Sequence, residues 1–255
     1  PRRGKRNGAF CSGVPVREES RVMLNFGGQL SDVFTLAHEL GHAYHNDCRF
    51  RFGRTVLQSS TPMTLAETAS IFCETLLFDG LMERADAAGR LALLEQDLQH
   101  ATQLLLDIHT RFLFEHEVFE RRQERELSPE EMSAVMDRAQ ERVFGDALAA
   151  DARPPLMWAH KPHYYSAQRS FYNFPYTFGW LFATGLYARY LAEGEGFRRR
   201  YDELLSSTGM ASASDLARGF GIEVEDPQFW RESLGVVADR VAAFKALAAG
   251  SEGRA

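Results

Sequence analysis

Apolar residues recur at three- and four-residue spacing through most of the chain, matching the 3.6-residue period of an α-helix. The pattern predicts helices over 33–46, with Ser31 or Asp32 as N-cap, and from Thr64 or Leu65 to about Arg84, after the loop chemistry of Ser59-Ser60-Thr61-Pro62. A long helical stretch covers about 88–125. Another helix opens at Ser128, where Ser128 caps, Pro129 takes the first helical position and Glu131 completes a capping box. Helical spacing returns at 178–191, 197–205, 214–220 and 228–247. Only the run 21–26, ending at Gly27-Gly28, reads as a strand. Residues 151–176 are too irregular for a helix and too aromatic for a flexible linker, so a shaped loop is expected. The fold class is therefore mainly α, with a small sheet or hairpin beside the helix at 33–46. Residues 1–250 read as a single domain and 251–255 as a disordered tail.

One string on the first helix changes the picture. His38-Glu39-Leu40-Gly41-His42 fits H-E-x-x-H, and it lies on a predicted helix as that motif requires. Histidines four apart share one helix face about 6 Å apart along the axis, so both rings can meet one ion, and zinc suits imidazole and carboxylate ligands. Glu39 sits about 100° around the helix, beside the ion but not on it, where it can act as general base. A zinc-activated water attacking a polarised carbonyl is amide hydrolysis. With 8 histidines in 255 residues, a chance match is expected on the order of one time in a hundred. A catalytic zinc needs a third protein ligand, and Glu67, 25 residues beyond His42, is placed to supply it. Thr64-x-x-Glu67 also fits a capping box, and spacing alone leaves both readings open. Glu74, seven residues further on, suits either an acceptor for a ligand imidazole N–H or a solvated helix position.

Composition narrows the partners. A hydrophobic content of 45% supports a sizeable core, and the net charge of −6 lacks the basic stripe that nucleic acid requires. The cluster Arg2, Arg3, Lys5 and Arg6 lies at the frayed terminus. No stretch is long and apolar enough for a membrane span or a signal peptide, and the three widely spaced cysteines, Cys11, Cys48 and Cys73, do not form a disulfide framework. A soluble, cytoplasmic protein without membrane or nucleic-acid partners is expected. The start at Pro1 instead of Met suggests part of a longer chain.

These residues resemble the oligoendopeptidase F branch of the thimet-type oligopeptidases. The resemblance is carried by Gly8-Ala9-Phe10-Cys11-Ser12-Gly13, by Leu24-Asn25-Phe26 with the stretch from Asp32 to His42, by Ala66-Glu67-Thr68-Ala69-Ser70, and by the stretch from Phe171 to Gly179. It implies a zincin-type catalytic domain with one Zn2+ held by His38, His42 and Glu67 and with Glu39 as base. It also implies that His163, Tyr172 and Tyr176 stabilise the oxyanion; without it, aromatic packing is the plainer reading of that segment. Trp180 stands where related sequences often carry a tyrosine, and an indole donates but cannot act as an acid, so it stays outside the catalytic set. Short unstructured peptides are the implied substrates, and a helical N-terminal half, absent from this chain, is the implied partner. Leu24–Gly28 reads either as an edge for an extended peptide or as a core strand. Two rivals remain: a non-catalytic metal-binding module that needs the missing half, and a zinc hydrolase acting on a non-peptide amide.

Overall fold

A computed structural model describes residues 2–58 and 60–252, which are mainly helical with one two-stranded sheet. Strand β1 (Phe10–Val14) pairs antiparallel with β2 (Glu19–Met23), Phe10 facing Met23 and Val14 facing Glu19. The turn closes through Glu18, whose φ of 52° is left-handed. The strand predicted at 21–26 is thus displaced. It ends at Met23, so Leu24–Gly28 lies beyond the sheet and serves as the lead into the first helix. Its partner β1 escaped notice because Phe10-Cys11-Ser12-Gly13-Val14 has no clean alternation.

Helix α1 (Leu30–Arg51) starts earlier than its apolar period suggests. Neither Ser31 nor Asp32 caps it. Gln29 takes the cap, and Asp32, at the third helical position, reaches back to accept the Gln29 N–H at 3.0 Å and the Gly27 N–H at 2.7 Å. Those backbone bonds hold the Asp32 carboxyl below its ordinary range. The next predicted helix is split: α2 (Met63–Ala66) stops at Glu67, and α3 (Thr68–Arg84) resumes after it. Next come α4 (Ala87–Thr102), a π turn at Gln103–Asp107, and α5 (Ile108–Arg121). Helix α6 (Pro129–Phe144) opens as its sequence predicts, Ser128 Oγ accepting the Glu131 N–H at 3.3 Å and Glu131 accepting the Ser128 N–H at 3.0 Å. Turns and short 3-10 segments follow, then α7 (Phe174–Glu193), α8 (Glu195–Ser207), α9 (Ala213–Gly219) and α10 (Pro227–Glu252). Helix α10 thus continues into the expected tail as far as Glu252, and 253–255 lie outside the described residues. Among the described residues no helix is long and apolar enough to cross a membrane.

Where the sequence reads as one domain, the chain clusters as two compact units, one of residues up to 96 and from 178 onward, the other of 97–177. In the first unit Phe72 of α3 is the hub of an aromatic core, with ring centroids 4.6 Å from Tyr201, 5.6 Å from Tyr187 and 5.7 Å from Phe197. Burying such a side chain contributes roughly 1.5–3 kcal/mol. Helices α1 and α3 touch backbone to backbone: a Cβ on Gly41 would stand 2.4 Å from the Ala69 carbonyl oxygen and 2.5 Å from Ser70 Cα. Buried His45 ties α1 to the end of α8. Its Nε2–H donates to Thr208 Oγ1 at 2.7 Å, with the Leu205 carbonyl 3.1 Å away. The second unit packs α5 on α6 through Phe114, Val118, Val135, Met136 and Ala139.

Two outcomes follow for stability. Gly41→Ala is expected to cost about 1–3 kcal/mol through overpacking, although alanine is intrinsically the better helix former, whereas Gly80→Ala, which meets open space on α3, is expected to be neutral or stabilising. Urea unfolding of the metal-free variants checks this. Burial pushes the His45 pKa down from 6.5 to about 3, so below pH 6.5 the unfolded chain binds a proton that the folded chain refuses. This stability is fully present above pH 6.5 and is lost as pH falls toward 3, at up to ~1.4 kcal/mol per pH unit. Denaturant midpoints between pH 6.5 and 4.5 should fall more steeply for the parent than for His45→Gln; equal slopes would refute this account.

Candidate metal centre

Helical period sets one half of the site and the close contact of α1 with α3 sets the other. His38 and His42 lie one turn apart on α1, and Gly41 between them lets α3 approach until Glu67, at the break before that helix, reaches both rings. Glu67 Oε2 lies 3.2 Å from His38 Nε2 and 3.5 Å from His42 Nε2, and the two ring nitrogens are 3.2 Å apart. Donors around a tetrahedral zinc with bonds of about 2.0–2.2 Å stand about 3.3–3.6 Å apart, so this set of two imidazoles and a carboxylate fits such an ion closely. The capping box open to Thr64 and Glu67 is not how the carboxylate is used: it faces the rings, and Ser70 Oγ–H donates to Oε2 at 2.8 Å.

Glu74 takes the acceptor role, not the solvated one. Its Oε1 lies 2.6 Å from His38 Nδ1, which fixes that nitrogen as an N–H and directs Nε2 toward Glu67 and His42. Burial alone would lower the His38 pKa, but Glu67 and Glu74 outweigh it and lift it to about 10. Burial would raise that of Glu67, but the His38 hydrogen bond and charge bring it to about 2. His42 is lowered, chiefly by burial. Without an ion, the triad therefore holds a proton between His38 and its two carboxylates.

Glu39 is 5% exposed and its Oε2 has no hydrogen-bond partner among the described residues, so desolvation raises its pKa. It lines a cavity of about 400 Å³ together with His38, His42, Glu67, Arg49 and Thr61. Ser70 and Gly41 are contributors that the sequence did not single out. Small residues beside a metal motif are the one available signal.

His163, Tyr172 and Tyr176 form a group of their own in the second unit. The His163 and Tyr172 ring centroids are 5.7 Å apart, and the Tyr176 hydroxyl lies 3.3 Å from that of Tyr172. His163 is 9% exposed with Nε2 unpartnered among the described residues, and burial, followed by the Arg111 charge, lowers its pKa. Phe171, just before Tyr172, adopts a left-handed φ of 53°, unfavourable for an aromatic residue, while its N–H donates to buried Glu115 at 2.6 Å. Arg111, one turn earlier on α5, donates to Asn173 Oδ1 at 3.4 Å. Trp180 is buried in the first unit.

The chain belongs to peptidase family M3, whose model matches residues 1–236. It is similar to the oligopeptidase PepF of Bacillus subtilis, 28% identical over 89% of this chain and 33% of that protein. It is likewise similar to the chromosomal oligoendopeptidase F of Lactococcus lactis subsp. cremoris, 28% identical over 93% of this chain and 39% of that protein. Its fold matches a crystal structure assigned as a peptidase from Chlamydophila abortus, with a TM-score of 0.84 and 24% identity over 95% of this chain and 40% of the other. The chain thus spans between a third and two fifths of the length of these proteins.

Since His38 holds a proton up to about pH 10 in the metal-free state, zinc binding at pH 7.5 is expected to release at least one proton. Calorimetry in buffers of different ionisation enthalpy measures that number, and a value near zero would contradict the arrangement. Glu74→Gln should weaken zinc about 10–100-fold.

Proposed function

We propose that this chain is the catalytic part of a zinc-dependent endopeptidase that hydrolyses internal bonds of short, unstructured peptides. The observation that carries the reading is the triangle of ligand atoms with edges of 3.2, 3.2 and 3.5 Å, faced by the buried carboxylate of Glu39 in one cavity. His38, His42 and Glu67 would hold the ion. When bound, zinc lowers the pKa of a coordinated water to about 7 and polarises a carbonyl. Glu39, a desolvated residue of the cavity lining, accepts the proton of the attacking water and delivers it to the leaving amine. Glu74 orients His38, and Ser70 orients Glu67. On the family resemblance alone, His163, Tyr172 and Tyr176 are assigned as donors to the developing oxyanion, each such donor being worth about 3–4 kcal/mol. The unpaired Cys11, Cys48 and Cys73 suit work in the reducing cytoplasm.

The coverage of 33% and 39% of the relatives' length supports a second reading, in which the chain binds zinc but needs the remaining part of a longer protein for turnover. One experiment separates the two. Metal content and cleavage of a quenched fluorescent peptide mixture are measured beside Glu39→Gln and Glu67→Ala. The proposal expects one zinc per chain, cleavage reduced about 10²–10⁴-fold in Glu39→Gln with zinc retained, and zinc lost in Glu67→Ala. Zinc without turnover would favour the second reading, and a chain that takes up no zinc would overturn both.

A further inference from the structure

In the second unit, the residues on either side of Tyr172 are both held by α5. Phe171, before it, has the left-handed φ of 53° that a bulky side chain seldom adopts. Helix α5 meets it through backbone and ring. The Phe171 N–H donates to Glu115 Oε1 at 2.6 Å, and its ring centroid lies 5.3 Å from that of Phe112 and 5.6 Å from that of Phe119. Phe112, Glu115 and Phe119 follow one another at three- and four-residue spacing, so they share one face of α5 and take the main chain and side chain of Phe171 together. Glu115 is 7% exposed, and a buried carboxylate is costly unless it accepts hydrogen bonds, so the bond serves both partners. After Tyr172, the Asn173 side-chain oxygen accepts from Arg111, one turn before Glu115 on the same helix.

The φ at Phe171 decides where Tyr172 stands. His163 precedes this residue in the chain and Tyr172 follows it, so rotation about the Phe171 N–Cα bond swings Tyr172 relative to the segment that bears His163. Return to an ordinary negative φ is a rotation of about 110° or more. With φ left-handed, the Tyr172 ring centroid is 5.7 Å from that of His163 and its hydroxyl is 3.3 Å from that of Tyr176.

We propose that Glu115 is a positioning residue: by accepting the Phe171 N–H on the face of α5 it shares with Phe112 and Phe119, it holds Phe171 left-handed and keeps Tyr172 beside His163 and Tyr176. This rests on the peptidase reading above, in which those three donate to the oxyanion, and adds the residue that aims Tyr172. Glu115 acts through a donor used in the transition state, so its loss falls on kcat and leaves KM in place.

The test follows Tyr172 by fluorine NMR of the fluorotyrosine-labelled chain, its resonance identified among the 8 tyrosines by loss in Tyr172→Phe. Kinetics of the zinc-loaded protein on the quenched fluorescent peptides are measured alongside. Glu115→Leu accepts no hydrogen bond. It is expected to move the Tyr172 resonance and to lower kcat about ten- to hundredfold, with KM within about twofold and zinc content unchanged. Glu115→Gln, whose amide oxygen still accepts the N–H, is expected to return both to the parent values. Circular dichroism checks folding, and Glu115→Asp, one methylene shorter, replaces the leucine variant if that one does not fold. A resonance unmoved in Glu115→Leu, a change that Glu115→Gln does not repair, a loss that comes through KM, or an unchanged kcat where Tyr172→Phe lowers it overturns the proposal. A resonance that moves and returns as expected, while the parent shows no turnover or Tyr172→Phe turns over like the parent, counts against the peptidase reading and leaves the aiming of Tyr172 by Glu115 standing.

Discussion

The contact of α1 with α3 at Gly41 is the constraint on which the first unit depends. A helix pair normally keeps 8–10 Å between axes because side chains stand between them. Here a missing side chain lets the Ala69 carbonyl and Ser70 Cα occupy the space that a Cβ would claim. That closeness lets the short side chain of Glu67 meet both rings, and brings Glu74 to His38 two turns further along α3. The aromatic core around Phe72, on the same helix, packs α3 against residues of α7 and α8 and against Cys48 of α1.

How legible this was differs by residue, and the reason is range. His38, Glu39 and His42 were readable because helical geometry alone places residues four apart on one face. Ser128 with Glu131 was readable for the same local reason. Glu67 was ambiguous, since its role depends on the return of α3 against α1, and no local rule fixes that packing; the family resemblance decided what spacing could not. The break in the helix at Glu67 was likewise invisible, because nothing in Leu65-Ala66-Glu67-Thr68 disfavours a continuous helix.

The misplaced cap and strand share one cause. Residue type offers Ser31 or Asp32 as the cap, but the Asp32 carboxylate reaches back to Gln29 and Gly27 and so acts from inside the helix. The strand was located by its apolar run, whereas pairing with β1 decides where it ends. In the second unit, the conformation of Phe171 has no propensity signal at all. It is held by Glu115 from α5, 56 residues away in sequence.

His45 carries one more consequence. It is a third imidazole on α1, within the lining of the metal cavity, yet its Nε2 is committed to the end of α8. An ion that gathered this ring as well as His38, His42 and Glu67 would have four protein donors and a closed shell, the arrangement of a structural site. The hydroxyl of Thr208 engages that nitrogen, and the donors that gather into one set are those of His38, His42 and Glu67, which would leave an ion held there a position for something other than protein.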